Sequence, residues 1–137
     1  MSKKTGGWEN RLITYLSKCS TSPFRPGRMD CALFFAGAAK AMTGEDIARG
    51  LRGKYRTIEG GQKIIQERGF KDHVDYITSL YPARPSIMMA QRGDGVVITD
   101  MDGNEAIGVV QGEHVYVMGL SGLGTVPLIE AKRAFEV

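Results

Sequence analysis

Between Asp30 and Gly44 the chain reads CALFFAGAAKAMT, a stretch in which Lys40 is the only charge. A helix that is apolar or small on every side has no face for water, so it belongs at the centre of the core. Asp30 is its expected N-cap, which puts Cys31 in the first turn, and Gly44 is its expected stop. The chain has 137 residues, a length that suits one domain with a single core around that helix. Apolar residues at 42% and charged residues at 24% argue against disorder. No run of about 18 apolar residues exists, so no membrane span is expected. The opening MSKKTGGWEN lacks the apolar stretch of a secretory signal.

The other segments are punctuated by turns. Trp8, Leu12, Tyr15 and Leu16 fall at helical spacing and predict an amphipathic helix over 8–18, followed by a loop through Pro23 and Pro26. Helices are expected at 46–52, at 58–68 and, short, at 72–80. The character then changes to β-branched runs: strands are expected at 95–99, 106–110 and 114–118. A glycine-rich stretch over 119–124 leads to an apolar run at 126–128, and one helical turn is expected over 130–135. Helices first and a small antiparallel meander second is an α+β order. Residues 1–7 read as a flexible or docking arm.

Charge is unevenly spread. Residues 1–71 carry 14 Lys/Arg against 6 Asp/Glu, and residues 72–137 carry 4 against 9. Such a split steers a chain towards an anionic partner, a charged neighbour or copies of itself. The densest basic stretch, Arg49, Arg52, Lys54 and Arg56, is a candidate interaction surface; the plainer reading is a solvated helix end and turn. Nucleic acid is not an expected partner, because the stretch has one aromatic, Tyr55, and no recognised binding signature.

Catalytic chemistry has little to draw on, with two cysteines and two histidines in the whole chain. That is too few for a disulfide framework or a four-ligand zinc site. Cys31 is the best single candidate nucleophile, since the first turn of a helix favours a thiolate, although the neighbouring Asp30 opposes a second negative charge. Cys19 reads as structural. A cysteine nucleophile needs a base. His73 lies in the polar segment DHVD and reads as a solvated surface residue; His114, at the head of a strand, is a weak candidate base. Asp94, Asp100, Asp102 and Glu105 read as residues of turns and strand starts. A calcium loop on Asp100, Asp102 and Asn104 lacks its distal glutamate, so no metal and no cofactor is expected.

Asp30-Cys31 opening a buried helix, Arg92-Gly93-Asp94 before one strand and Ile107-Gly108-Val109 on the next resemble the NlpC-type cysteine peptidases. These are papain-like enzymes that cut peptide bonds in bacterial cell walls. The whole chain from Trp8 to Phe135 also resembles small proteins encoded by tailed phages and prophages. That likeness rests on Pro23-Phe24, Asp30-Cys31, Thr43-Gly44-x-Asp46, Arg52-Gly53-x-Tyr55, Arg92-Gly93-Asp94 and the closing Gly-Leu-x-x-Val-Pro from Gly122 to Pro127. The resemblance implies a papain-like (NlpC-type) single α+β domain over 1–137, with N-terminal helices packed on a small C-terminal antiparallel sheet. It also implies that the catalytic base should stand where Ala106 is, and its orienting group near Val117 or Met118. Ala32 replaces the serine that commonly follows the nucleophile. A cysteine without base or orienter loses the cooperation that activates it.

Three functions follow as expectations. The first is a structural or assembly component of a phage tail, near the tip, carried in the virion after synthesis in the host cytoplasm. Its partners would be other tail proteins, and its fold an inactive peptidase scaffold. The second is a Cys31-dependent peptidoglycan peptidase or amidase. The third is a wall-binding module whose inactive groove still holds peptide stems.

Overall fold

The computed structural model describes residues 2–100 and 103–137. Four α-helices, α1 (Trp8–Cys19), α2 (Cys31–Thr43), α3 (Ile58–Glu67) and α4 (His73–Thr78), precede five strands. The strands are β1 (Gly95–Thr99), β2 (Glu105–Gln111), β3 (His114–Gly119), β4 (Gly122–Pro127) and β5 (Arg133–Phe135). They form one antiparallel sheet in the order β4-β3-β2-β1-β5. The domain is therefore α+β, with helices leading and the sheet following.

α2 is the centre, as its composition demands. Phe34, Phe35, Ala38, Ala39 and Met42 pack with α1, α4 and the sheet, while Leu33 and Ala36 pack on Ala48 and Leu51 on another side. Phe34 and Phe35 have no accessible surface, and full burial of a side chain of this kind contributes about 1.5–3 kcal/mol. The Asp30 carboxylate caps the helix by accepting from the Leu33 N–H, and Gly44 ends it with a φ of 85°. α1 crosses α2 closely at Gly37: Tyr15 donates its hydroxyl to Phe34 O at 2.8 Å, and its ring fills the space a side chain at 37 would take.

The two-residue period of the strands sorts the sheet into two buried faces. Val97, Ile107, Val109, Met118 and Phe135 point to the helices. Val96, Ile98, Ala106, Val110, Val115 and Ala134 point the other way, where Ile87, Ala90 and Leu128 cover them. Single 3₁₀ turns at Ile87–Met89 and Leu128–Glu130 supply that cover. Burial on both faces explains why β1 and β2 read as continuous apolar runs.

Two expected helices are absent. Residues 46–52 form successive turns, because Gly50 and Gly53 adopt φ of 86° and 72° and only Ala48 and Leu51 of this stretch are buried. Residues 130–135 do not form a helical turn. Ala134 and Phe135 face opposite sides of the sheet as β5, which closes the β1 edge through Gly95↔Phe135 and Val96↔Ala134. Within the glycine-rich stretch 119–124, β4 starts at Gly122 and pairs along β3. The first residues lie against the domain: the Thr5 N–H donates to Met42 O at 3.0 Å, and Lys4 Nζ and Ser2 Oγ to Val137 O at 2.6 and 2.9 Å. Among the described residues, no helix is long and apolar enough to cross a membrane.

A methyl group at Gly37 must displace the Tyr15 ring and with it the α1–α2 contact. Gly37→Ala should therefore cost about 1–3 kcal/mol despite the better helix propensity of alanine. Urea unfolding measures it, and an unchanged or raised midpoint would show that the two helices can part without cost.

Candidate functional site

The start of α2 meets the middle of the sheet at Cys31. β3 pairs with β2 only over Val109↔Tyr116, Val110↔Val115 and Gln111↔His114, then continues with β4 alone. The first half of β2 is thus left without a partner on that side. Val110 bonds across to Asp94, so by the alternation of an antiparallel ladder Ile107 turns its backbone groups away from β1 and into the open side. Cys31 stands there. Its Sγ accepts from the Ile107 N–H at 3.3 Å and donates to Ile107 O at 3.6 Å. The thiol takes the place of a missing strand.

These contacts define what the sulfur can do. Burial pushes the Cys31 thiol up to about 12, with the Ile107 N–H working against the shift and the Asp30 and Asp100 carboxylates adding to it. A thiol of that kind is mostly neutral at physiological pH and serves Ile107 as donor and acceptor. Cys19 is fully buried in the main core, and burial raises its thiol as well.

Asp30 is bound from three directions. Its Oδ1 accepts from the Leu33 N–H at 2.9 Å, and its Oδ2 from the Gly27 N–H at 3.0 Å and the Tyr55 hydroxyl at 2.6 Å. Burial and this bond to Asp30 hold the Tyr55 phenol far above its usual range. A second buried carboxylate, Asp94, lies between residues 83–91 and the sheet. Arg84 grips it with Nε at 2.9 Å and Nη2 at 3.1 Å, and the Gln91 N–H adds 2.8 Å. Asp94 stands at the strand start the sequence suggests, immediately before β1, and is inaccessible there as half of an ion pair with Arg84. Removing one partner of such a pair typically costs about 3–5 kcal/mol. Both carboxylates are structural anchors.

The histidines fall in opposite places. His114 is exposed and faces Gln111, four positions along β2 from Ile107. Strand rise separates it by about 13 Å from the Cys31 contact. Ala106, in the position expected of a base, is buried on the sheet face away from the helices, and Val117 lies on that face too. Met118 is in the main core. His73 is not the solvated surface residue its polar neighbours suggest. It is the first residue of α4, and its Nε2 is buried with no hydrogen-bond partner among the described residues. Burial lowers its pKa, while Asp72, Asp30, Asp100 and Glu105 pull the other way. Asp30 and Asp100 bear on Cys31 as well. Sequence reasoning missed His73 because the helix start that encloses it is built by tertiary contacts of Val74 and Ile77.

The basic candidates remain at the surface, with Arg49, Lys54 and Arg56 exposed and Arg52 paired to Asp46 at 3.2 Å. No cluster of metal-ligating side chains exists among the described residues. Asp102, one of the carboxylates considered for a calcium loop, lies outside them.

The domain of unknown function DUF6950 matches residues 3–137. The chain belongs to the DUF6950 family. No curated protein matches it.

Two outcomes follow from this geometry. At about pH 8 a thiol pushed up to about 12, as in Cys31, is ionised to only about one part in ten thousand, and Cys19 is inaccessible in the core, so iodoacetamide should leave both unlabelled in the folded protein and label both in denaturant. Rapid native labelling of Cys31 would contradict the hydrogen-bonded thiol. His73 has a folded pKa below its unfolded value near 6.5, so its contribution to stability is full above that value and declines as pH falls through the folded pKa. The loss of urea midpoint between about pH 7 and about pH 5 should be smaller in His73→Gln than in the parent. Equal losses in the two proteins would show that His73 is not buried neutral.

Proposed function

We propose that this protein is a structural or assembly component of a bacteriophage or prophage tail, built on a papain-like scaffold that does no chemistry. The reading is carried by one observation. The sulfur at the nucleophile position is engaged by both backbone groups of Ile107 and held as a neutral thiol. Supporting it, the position of the expected base holds the buried Ala106, and a helix opening on cysteine packs on an antiparallel sheet, the arrangement papain-like domains use. The motif order that resembles phage and prophage proteins supplies the tail setting, with the virion as location and other tail proteins as partners. In this reading the cysteine is kept because β2 needs a hydrogen-bonding group where β3 leaves it.

A second reading is favoured by His73. An enclosed imidazole whose Nε2 has no hydrogen-bond partner among the described residues is a group a hydrolase could use as a base. The protein would then be a Cys31-dependent peptidoglycan peptidase or amidase acting during entry. Movement of Cys31 away from Ile107 would be required, because the thiol has no imidazole partner among the described residues.

Purified sacculi and purified virions separate the two. The scaffold reading expects no release of soluble wall fragments, identical behaviour of Cys31→Ala, and the protein among virion components by mass spectrometry. Fragment release that is lost in both Cys31→Ala and His73→Gln would establish the hydrolase instead. Absence from virions would remove the tail-component assignment.

A further inference from the structure

The stretch 49–56 is not a free loop. The Gly53 N–H donates to Gly27 O at 2.9 Å, Arg68 Nη2 to Gly50 O at 3.3 Å, and the Tyr55 hydroxyl to the buried Asp30. The Arg28 guanidinium lies over Gly53, 3.8 Å from where a Cβ would stand. Three separated pieces of sequence, residues 25–29, residues 49–56 and the end of α3, are thereby fixed as one surface. Five cations stand on it: Arg28, Arg49, Lys54, Arg56 and Arg68. All five are exposed, and none forms an ion pair among the described residues. The nearby acids do not neutralise them. Asp46 is taken by Arg52, and Asp30 is buried under three donors. On α3 only Glu59 and Glu67 remain.

Uncompensated cations on turns held from beneath constitute a preorganised anion-binding surface, because little further ordering is needed on binding. We infer that this surface binds an acidic polypeptide face of a partner protein. Four of its five cations are arginines, whose planar forks pair with carboxylates in bidentate fashion. Ile58, 44% exposed and two residues beyond Arg56, places an apolar anchor next to the charges, the mixture typical of protein interfaces. Nucleic acid fits less well. Tyr55, the aromatic within the stretch, is held inward by Asp30 and offers no stacking platform. The cations project from turns and not from a helix that could enter a groove. The inference holds whether or not the protein belongs to a tail.

Fluorescence anisotropy with labelled poly-L-glutamate and labelled mixed-sequence duplex DNA, at equal ionic strength, tests it. Poly-L-glutamate should bind, and the triple variant Arg28→Gln, Arg49→Gln, Arg56→Gln should weaken binding about tenfold. The control Lys18→Gln, Lys40→Gln, Arg133→Gln removes the same charge elsewhere and should change it less than about twofold. Should the triple variant fail to fold in a thermal melt, the single exposed change Arg49→Glu replaces it and should weaken binding in the same direction. Equal losses in variant and control would reduce the effect to net charge and overturn the surface. No binding of poly-L-glutamate would overturn it as well. Tighter binding of DNA with the same arginine dependence would assign the surface to nucleic acid and overturn the polypeptide partner.

Discussion

The buried carboxylate of Asp30 is the point on which the helical layer depends. An isolated ionised group inside a protein costs many kcal/mol, so it persists only where donors replace the water it has lost. Here the donors come from three places in the chain: the first turn of α2, the Gly27 turn and the Tyr55 phenol. Hydrogen bonds to charged groups contribute about 1.5–3 kcal/mol each, and the N-terminus of α2 adds the favourable end of its dipole. The result fixes where the central helix begins, where the preceding loop turns and how the basic turns lie across both. Gly27 is part of the same constraint. Its φ of 81° and the close approach of the Tyr55 backbone leave no room for a side chain.

That constraint also explains the chemistry of the neighbouring residue. A thiolate at Cys31 would be a second negative charge beside Asp30 in an enclosed place, with Asp100 on the same side. The helix dipole favours an anion there, but Asp30 already takes up the first-turn N–H of Leu33. The sulfur therefore gains more as a neutral donor and acceptor for Ile107 than as an ion. An active cysteine needs the reverse arrangement, with a cationic or imidazole partner supplying the compensating charge. At this helix start the electrostatic balance favours the thiol.

Much of this was legible in the sequence where the signal is local. The all-round apolar pattern of 31–43 located α2, Asp30 and Gly44 marked its ends, and β-branched runs marked β1, β2 and β3. The failures are equally specific. Ile47, Ala48 and Leu51 have helical spacing, yet they serve one-sided packing against Leu33 and Ala36 from a chain of turns. Ala131, Ala134 and Phe135 also have helical spacing, but the free edge of β1 captures residues 133–135 as a strand, a tertiary choice that overrides local propensity. Asp94 sits in a turn-like Arg-Gly-Asp context whose neighbour Arg92 is exposed, whereas its true partner Arg84 lies ten residues upstream. The role of Cys31 was the least readable. It exists only because β3 departs from β2 after three pairs, and pairing length leaves no trace in the composition of either strand.

The uneven charge noted along the sequence acquires a mechanical meaning through Tyr55. Its ring packs against Gly61 of α3 and its hydroxyl is bound to Asp30, so the basic turns and the Cys31 corner share one connecting side chain. A partner that seats on Arg49, Lys54 and Arg56 presses on turns whose inner support is the same carboxylate that caps α2. Coupling between two places requires a physical element that both can bias, and this phenol and its carboxylate are such an element. The basic turns and the Cys31 corner are therefore two ends of one hydrogen-bonded unit. The basic turns do not depend on the state of the sulfur, because Asp30 needs its three donors whether or not Cys31 ever ionises.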